Sequence, residues 1–201
     1  MDIYVTLILI GLGVYAAKNR EQRQRIALLG HCLQPYQLEK LMEQLTEGYL
    51  RALGEADPER RQQIWNLLAT TEQTLCRQFD RLAADVARLG EVQTRVSTWP
   101  LALPWATRLA AGATFDLREA LAIHAKGIAF VAQNTQDLSP KDKAYMLSAE
   151  LFLFQHTCHW FCRSKMVASA RLLTRHKTPY EQVLDSVSSP TRQAWRALLG
   201  S

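Results

Sequence analysis

Four side chains in the last third of the chain have the chemistry to hold a metal: His156, Cys158, His159 and Cys162. Imidazole nitrogens and thiolates are ligands for zinc and for haem iron, and two ligands one helical turn apart are a real metal geometry. On a helix Cys158 and Cys162 stand about 40° apart, with His159 about 60° further round. A tetrahedral site then needs one or two more ligands from another helix, such as His124 or the His31-Cys32 pair. The spacing fits no zinc-finger or zinc-ribbon pattern, and buried free cysteines and aromatic-packed histidines are routine in helical cores. Metal or haem binding at this cluster is therefore the alternative reading, and the first expectation is that the protein carries no cofactor.

Glu150 is the only charged side chain in AYMLSAELFLFQHTCHWFC, residues 144 to 162. A desolvated carboxyl can move protons, but a structural ion pair is far commoner, and Lys126 or His124 are the partners of suitable character. The chain has no G-x-S-x-G, no H-E-x-x-H, no G-x-x-x-x-G-K-[ST] and no G-x-G-x-x-G. Cys158 and His159 are not a nucleophile and its base, because adjacent helical residues point about 100° apart. The expectation is a protein that is not an enzyme.

These residues need a helix to position them. Residues 144 to 162 are apolar all round, which marks the central helix of a bundle. A membrane span here is rejected: Lys141 and Lys143 flank one end, Arg163 and Lys165 the other. No orientation then satisfies the positive-inside bias, and Glu150 in lipid is costly.

A stronger membrane signal lies at the amino end. Ile3 to Ala17 reads IYVTLILIGLGVYAA, with no charge and no polar face, followed by Lys18, Arg20, Arg23 and Arg25. Ile3, Leu7, Leu9, Leu12 and Val14 are the expected anchor residues. Fifteen residues rise only about 22 Å, so local thinning and snorkelling of Lys18 and Arg20 would have to make up the span. A cleaved signal peptide wants positive charge before the run, and a surface-lying helix wants a polar face. The basic flank predicts a single-pass inner-membrane protein of bacterial type with the bulk of the chain cytoplasmic.

The rest bounds the class. Of 201 residues, 48% are hydrophobic and only 9 are Gly and 7 Pro, which excludes a disordered chain. Four scattered cysteines suit a reducing compartment. The charge of +5 gathers in the flank after the anchor and in residues 163 to 201, where seven Lys or Arg face Glu181 and Asp185. The basic ends flank a slightly acidic middle and suit an anionic lipid surface or nucleic acid, of which nucleic acid is not the expected partner.

The expected fold is all-α: an anchor with its flank (1–25), an all-helical domain (26–177) and short basic helices (178–201). Leu38, Leu41, Met42, Leu45, Tyr49 and Leu53 recur at helical steps, and Asp57-Pro58 opens a long third helix expected to reach about Ser97. Leu68, Leu75, Leu82, Leu89 and Val96 are seven apart, a coiled-coil-like seam that a helical bundle also uses. Pro100 and Pro104 break regular helix, and Trp99 and Trp105 suit a hydrophobic connector or the headgroup level of a membrane. Asp116 caps a fifth helix, Ser139-Pro140 opens one expected to run to about Arg175, and Thr178-Pro179 and Ser189-Pro190 start two more.

The functional expectation is a membrane-tethered interaction or scaffold protein, a subunit or accessory factor of a larger assembly. Its partners are expected to be the membrane and other proteins, a second copy included. The seam Leu68, Leu75, Leu82 and Leu89 and an exposed surface of Arg192, Trp195 and Arg196 are the expected contact residues.

Overall fold

The structure, a computed structural model, describes residues 3 to 200. The chain is all-α, apart from one short β-ribbon. In order the elements are α1 (Ile3–Leu33), α2 (Leu38–Gly54), α3 (Pro58–Val86), α4 (Glu91–Thr94), β1 (Arg95–Ser97), α5 (Ala106–Leu109) and β2 (Thr114–Asp116). They are followed by α6 (Leu117–Gln133), α7 (Pro140–Cys162), α8 (Lys165–His176), α9 (Tyr180–Ser186) and α10 (Ser189–Leu199).

The caps explain most boundaries. The Asp57 carboxylate accepts from Glu59 N–H with Pro58 in the first turn of α3, and Asp116 accepts from Arg118 N–H at the start of α6. Ser139 and Asp142 form a reciprocal box: Ser139 Oγ accepts from Asp142 N–H at 3.1 Å and donates to its carboxylate at 2.6 Å. Asn134, Lys177 and Gly200 close α6, α8 and α10 in the left-handed conformation.

Three boundaries differ from the sequence expectation. α3 ends at Val86, so Leu89 lies beyond it and Val96 sits in β1. The expected helix from Pro140 to about Arg175 is two helices, because Arg163 leaves the helical region and Ser164, fully extended, caps α8 by accepting from Val167 N–H. No strand was expected, yet β1 and β2 pair antiparallel with Val96 opposite Phe115. Those two side chains are buried, and the Trp160 indole donates to Ser97 O at 2.9 Å.

The core lies among α2, α3, α6 and α7, with α8 and α9 packed on α7 and α10 packed on α6. Leu147, Leu151, Leu153, Phe154 and Phe161 make α7 the central helix. Glu72, which interrupts the α3 stripe, is buried but satisfied: the Tyr49 hydroxyl donates to it at 2.6 Å and Lys143 pairs with it.

Among the described residues, no helix is long and apolar enough to cross a membrane. The expectation of a full transmembrane span is corrected accordingly. The uncharged run ends at Ala17, and Lys18, Asn19 and Arg20 follow at once. Its roughly 22 Å falls short of a hydrocarbon core of about 30 Å.

Candidate functional site

The metal-type side chains do not converge. His156 is buried, with Nε2 3.0 Å from Ser169 Oγ and its ring against Tyr180, whereas His159 Nδ1 faces the Arg171 guanidinium at 3.1 Å. Burial, with Lys165 and His159 nearby, pushes His156 down to about 3, so its imidazole is neutral. Burial pushes the Cys158 thiol up and the Cys162 thiol to about 11, away from the thiolate that ligation or nucleophilic attack requires. Among the described residues, no three His, Cys, Asp or Glu side chains are gathered closely enough to hold a metal ion.

Glu150 has neither expected partner. Lys126 points to solvent, and His124 Nε2 is 2.8 Å from Thr157 Oγ1. Instead Glu150 Oε1 accepts from the Ser188 N–H at 3.0 Å and the Ser188 hydroxyl at 2.8 Å, just ahead of α10. Its second oxygen has no hydrogen-bond partner and lies against Gly127, where a Cβ would stand 2.7 Å from it and 2.1 Å from Thr191 Oγ1. Burial raises the carboxyl above its ordinary value, partly offset by Ser188 and Thr191. The group is a latch between α7 and α10. Gly127, which the latch needs, gives no signal within its own helix sequence.

The expected contact surfaces are also placed inside the chain. Leu68, Leu75 and Leu82 are buried against α2 and α6, with Leu68 on Gly48, and Leu89 is half-buried. The seven-residue seam is therefore the bundle's own core stripe. Trp195 is fully buried and donates its indole N–H to the Tyr180 hydroxyl at 2.8 Å. Arg192 and Arg196 stay at the surface beside Asp185. The expected exposed aromatic-and-arginine face is corrected: α10 turns its tryptophan inward because Phe115 and His124 line a slot for it.

What the domain leaves uncovered is the first half of α1. From Glu21 onward the helix is clamped: Arg163 donates to Gln22 Oε1 at 2.7 Å, Arg25 donates to Phe161 O at 3.2 Å, and Leu29 is buried. Before Ala17 none of the described residues covers it. Ile3, Tyr4, Val5, Leu7, Ile8, Leu9, Ile10, Leu12, Val14 and Tyr15 are all exposed, around the full circumference. An exposed apolar surface of this extent is uncommon on a monomeric globular protein.

Beside the base of this projecting helix sits the loop between the strands. Trp99, Leu101, Leu103, Trp105 and Leu109 are exposed there. Trp105 has φ +60° and ψ 11°, a left-handed conformation that costs a bulky residue roughly 1–2 kcal/mol. Its neighbours Pro104 and Ala106 are buried, so this twist turns the indole outward, and its backbone N–H donates to Glu21 Oε2 of α1 at 3.2 Å. Sequence reading found the two tryptophans but had no signal for the twist.

No family model, no curated protein and no solved structure is detectably similar to this chain.

Proposed function

We propose that this is a non-enzymatic, membrane-tethered helical protein that works by binding. The observation that carries the reading is the uncovered helix from Ile3 to Tyr15, with ten large hydrophobic side chains exposed on every side and the basic residues Lys18, Arg20 and Arg23 behind it. Burying side chains of this kind in hydrocarbon is worth on the order of 1 kcal/mol each at half exposure, so roughly 10 kcal/mol favours insertion. The helix enters the bilayer without the length for an unaided crossing, and the cations that follow it stay in the headgroups. The positive flank favours a cytoplasmic face, the inner membrane in a bacterial cell.

The domain held there is a scaffold for protein partners, a second copy included. With the α3 seam and Trp195 buried, the apolar groups left for such contacts include Leu50 on α2 and Leu67 on α3.

The test is fractionation with a tag at the carboxyl end. The full chain is expected to stay with membranes through alkaline carbonate and to leave with detergent, with the tag protected from external protease. Cross-linking in native membranes is expected to trap a protein partner or a second copy. Release by carbonate refutes the tether, and an uncross-linked chain refutes the scaffold role.

A further inference from the structure

We propose that the loop from Trp99 to Leu109 is a second membrane contact, a wedge that seats the domain on the anionic surface of the bilayer entered by α1. The inference rests on the reading of residues 3 to 17 as the tether.

Position is the first argument. The loop is tied to α1 through the Trp105 N–H on Glu21. Glu21 is four residues beyond Ala17, the last apolar residue, which is about 6 Å along the helix axis. The headgroup layer on one side of a bilayer is about 5–7.5 Å deep. A bilayer whose hydrocarbon ends near Ala17 therefore has its headgroups at the level of the loop.

Composition is the second. Trp99, Leu101, Leu103 and Trp105 are uncovered, and Leu109 is 77% exposed. Tryptophan is the residue enriched at this depth, where one edge of the ring is apolar and the N–H is wet. Trp105 is held in a strained backbone conformation between two buried neighbours, and its side chain remains half-exposed.

Charge is the third, and it selects the occupant. Lys18, Arg25 and Arg163 line the cleft that contains Trp99, Leu101 and Leu103. Arg20 and Arg108 line the hollow beside Trp105 on the other side, where Arg95 is already paired with Glu91. Among the described residues the only acid lining either one is Glu21, already engaged by Arg25 and the Trp105 N–H. A second copy docked on this face would bring cation against cation. Lipid phosphates satisfy the same groups, and the attraction holds close to the surface. A single helix in a membrane leaves the attached domain free to turn about its axis. A second, off-axis contact fixes which face of the domain is offered to partners.

The test uses the full chain in vesicles of phosphatidylcholine, with and without phosphatidylglycerol, carrying acyl chains brominated near the headgroup. Bromine quenches tryptophan only at short range. Trp160 and Trp195 are buried and Trp65 packs against Tyr49, so Trp99 and Trp105 are the accessible reporters. Emission of vesicle-bound wild type is expected to fall, further with phosphatidylglycerol present. The W99F/W105F variant, its fold checked by circular dichroism, is expected to bind vesicles through α1 and lose most of the quenchable emission. Should the double variant misfold, W99F and W105F are read singly. A vesicle-bound wild type that is not quenched, or a variant quenched equally, overturns the wedge and leaves the tether standing. A chain that does not enter vesicles overturns both. Cross-linking of two copies through the loop, without quenching, assigns the patch to self-association and also overturns the wedge.

Discussion

Replacing Leu9 and Leu12 together by Asp separates tethering from folding. The two side chains are 57% and 59% exposed and precede the first clamped residue of α1, Glu21, by more than two turns. The domain therefore has nothing to lose, and its unfolding free energy is expected to stay within about 0.5 kcal/mol of wild type. Membrane insertion responds quite differently. At the centre of an inserted helix Leu favours transfer by about 0.5 kcal/mol and Asp opposes it by about 3, so two exchanges cost about 7 kcal/mol. A shallow helix that feels half of this still loses about 3.5 kcal/mol, several hundred-fold in partitioning. Vesicle flotation and a thermal melt, read on the same preparation, are the assay. Leu75→Asp is the control: Leu75 is fully buried between α3 and its neighbours, and an unpaired carboxylate there should abolish folding. A double variant that floats like wild type refutes the tether. One that melts many degrees lower refutes the premise that this half of α1 stands free.

Four further outcomes follow from the interior. Gly127→Ala is expected to destabilise by about 1–2 kcal/mol net in denaturant unfolding, the overpacking on Thr191 and Glu150 outweighing the gain in helix propensity. Glu150 has its carboxyl raised by burial, so the folded state is favoured while the group is protonated and this advantage is lost as pH rises through the raised value. Glu150→Gln should then be as stable as wild type or more so at neutral pH, with the difference vanishing in acid. His124 and His156 carry the opposite sign: both are pushed down to about 3, so their contribution is present above the ordinary histidine range and is lost as pH falls toward 3. His156→Gln should flatten the fall in stability between about pH 6 and 4. Trp195→Ala is expected to cost about 3–5 kcal/mol, while Arg196→Ala is nearly silent, since one fills the core and the other lies at the surface.

The helical architecture was legible because its signals are local. Asp57-Pro58, Asp116 and Ser139-Pro140 each placed a helix start correctly, and the stripe Leu68, Leu75, Leu82 marked a buried face. What the stripe could not say is whose surface buries it. A seven-residue repeat over about four turns serves a second chain or the chain's own α2 and α6 equally well. The break at Ser164 was hidden for a related reason: no Gly or Pro marks it, and it exists because α8 must fold back along α7. The Glu150 latch depends on Gly127 and Ser188, 23 and 38 residues away, and no local pattern joins them.

The tryptophans show where such reading stops. Trp105 lies in a Pro-flanked apolar run that could as well have been tucked into the bundle, and Trp195 in an arginine-bearing terminal helix that invited a surface role. Their positions are the reverse. Trp195 is inside because α9 returns Tyr180 to accept its N–H and β2 brings Phe115 to its face. Trp105 is outside because Pro104 and Ala106 take the buried positions on either side and the backbone twists between them. Exposure of an aromatic residue is set by what the rest of the chain can bring to it. In this chain a few interior contacts send one indole to the core, and the other is left at the base of the uncovered apolar helix.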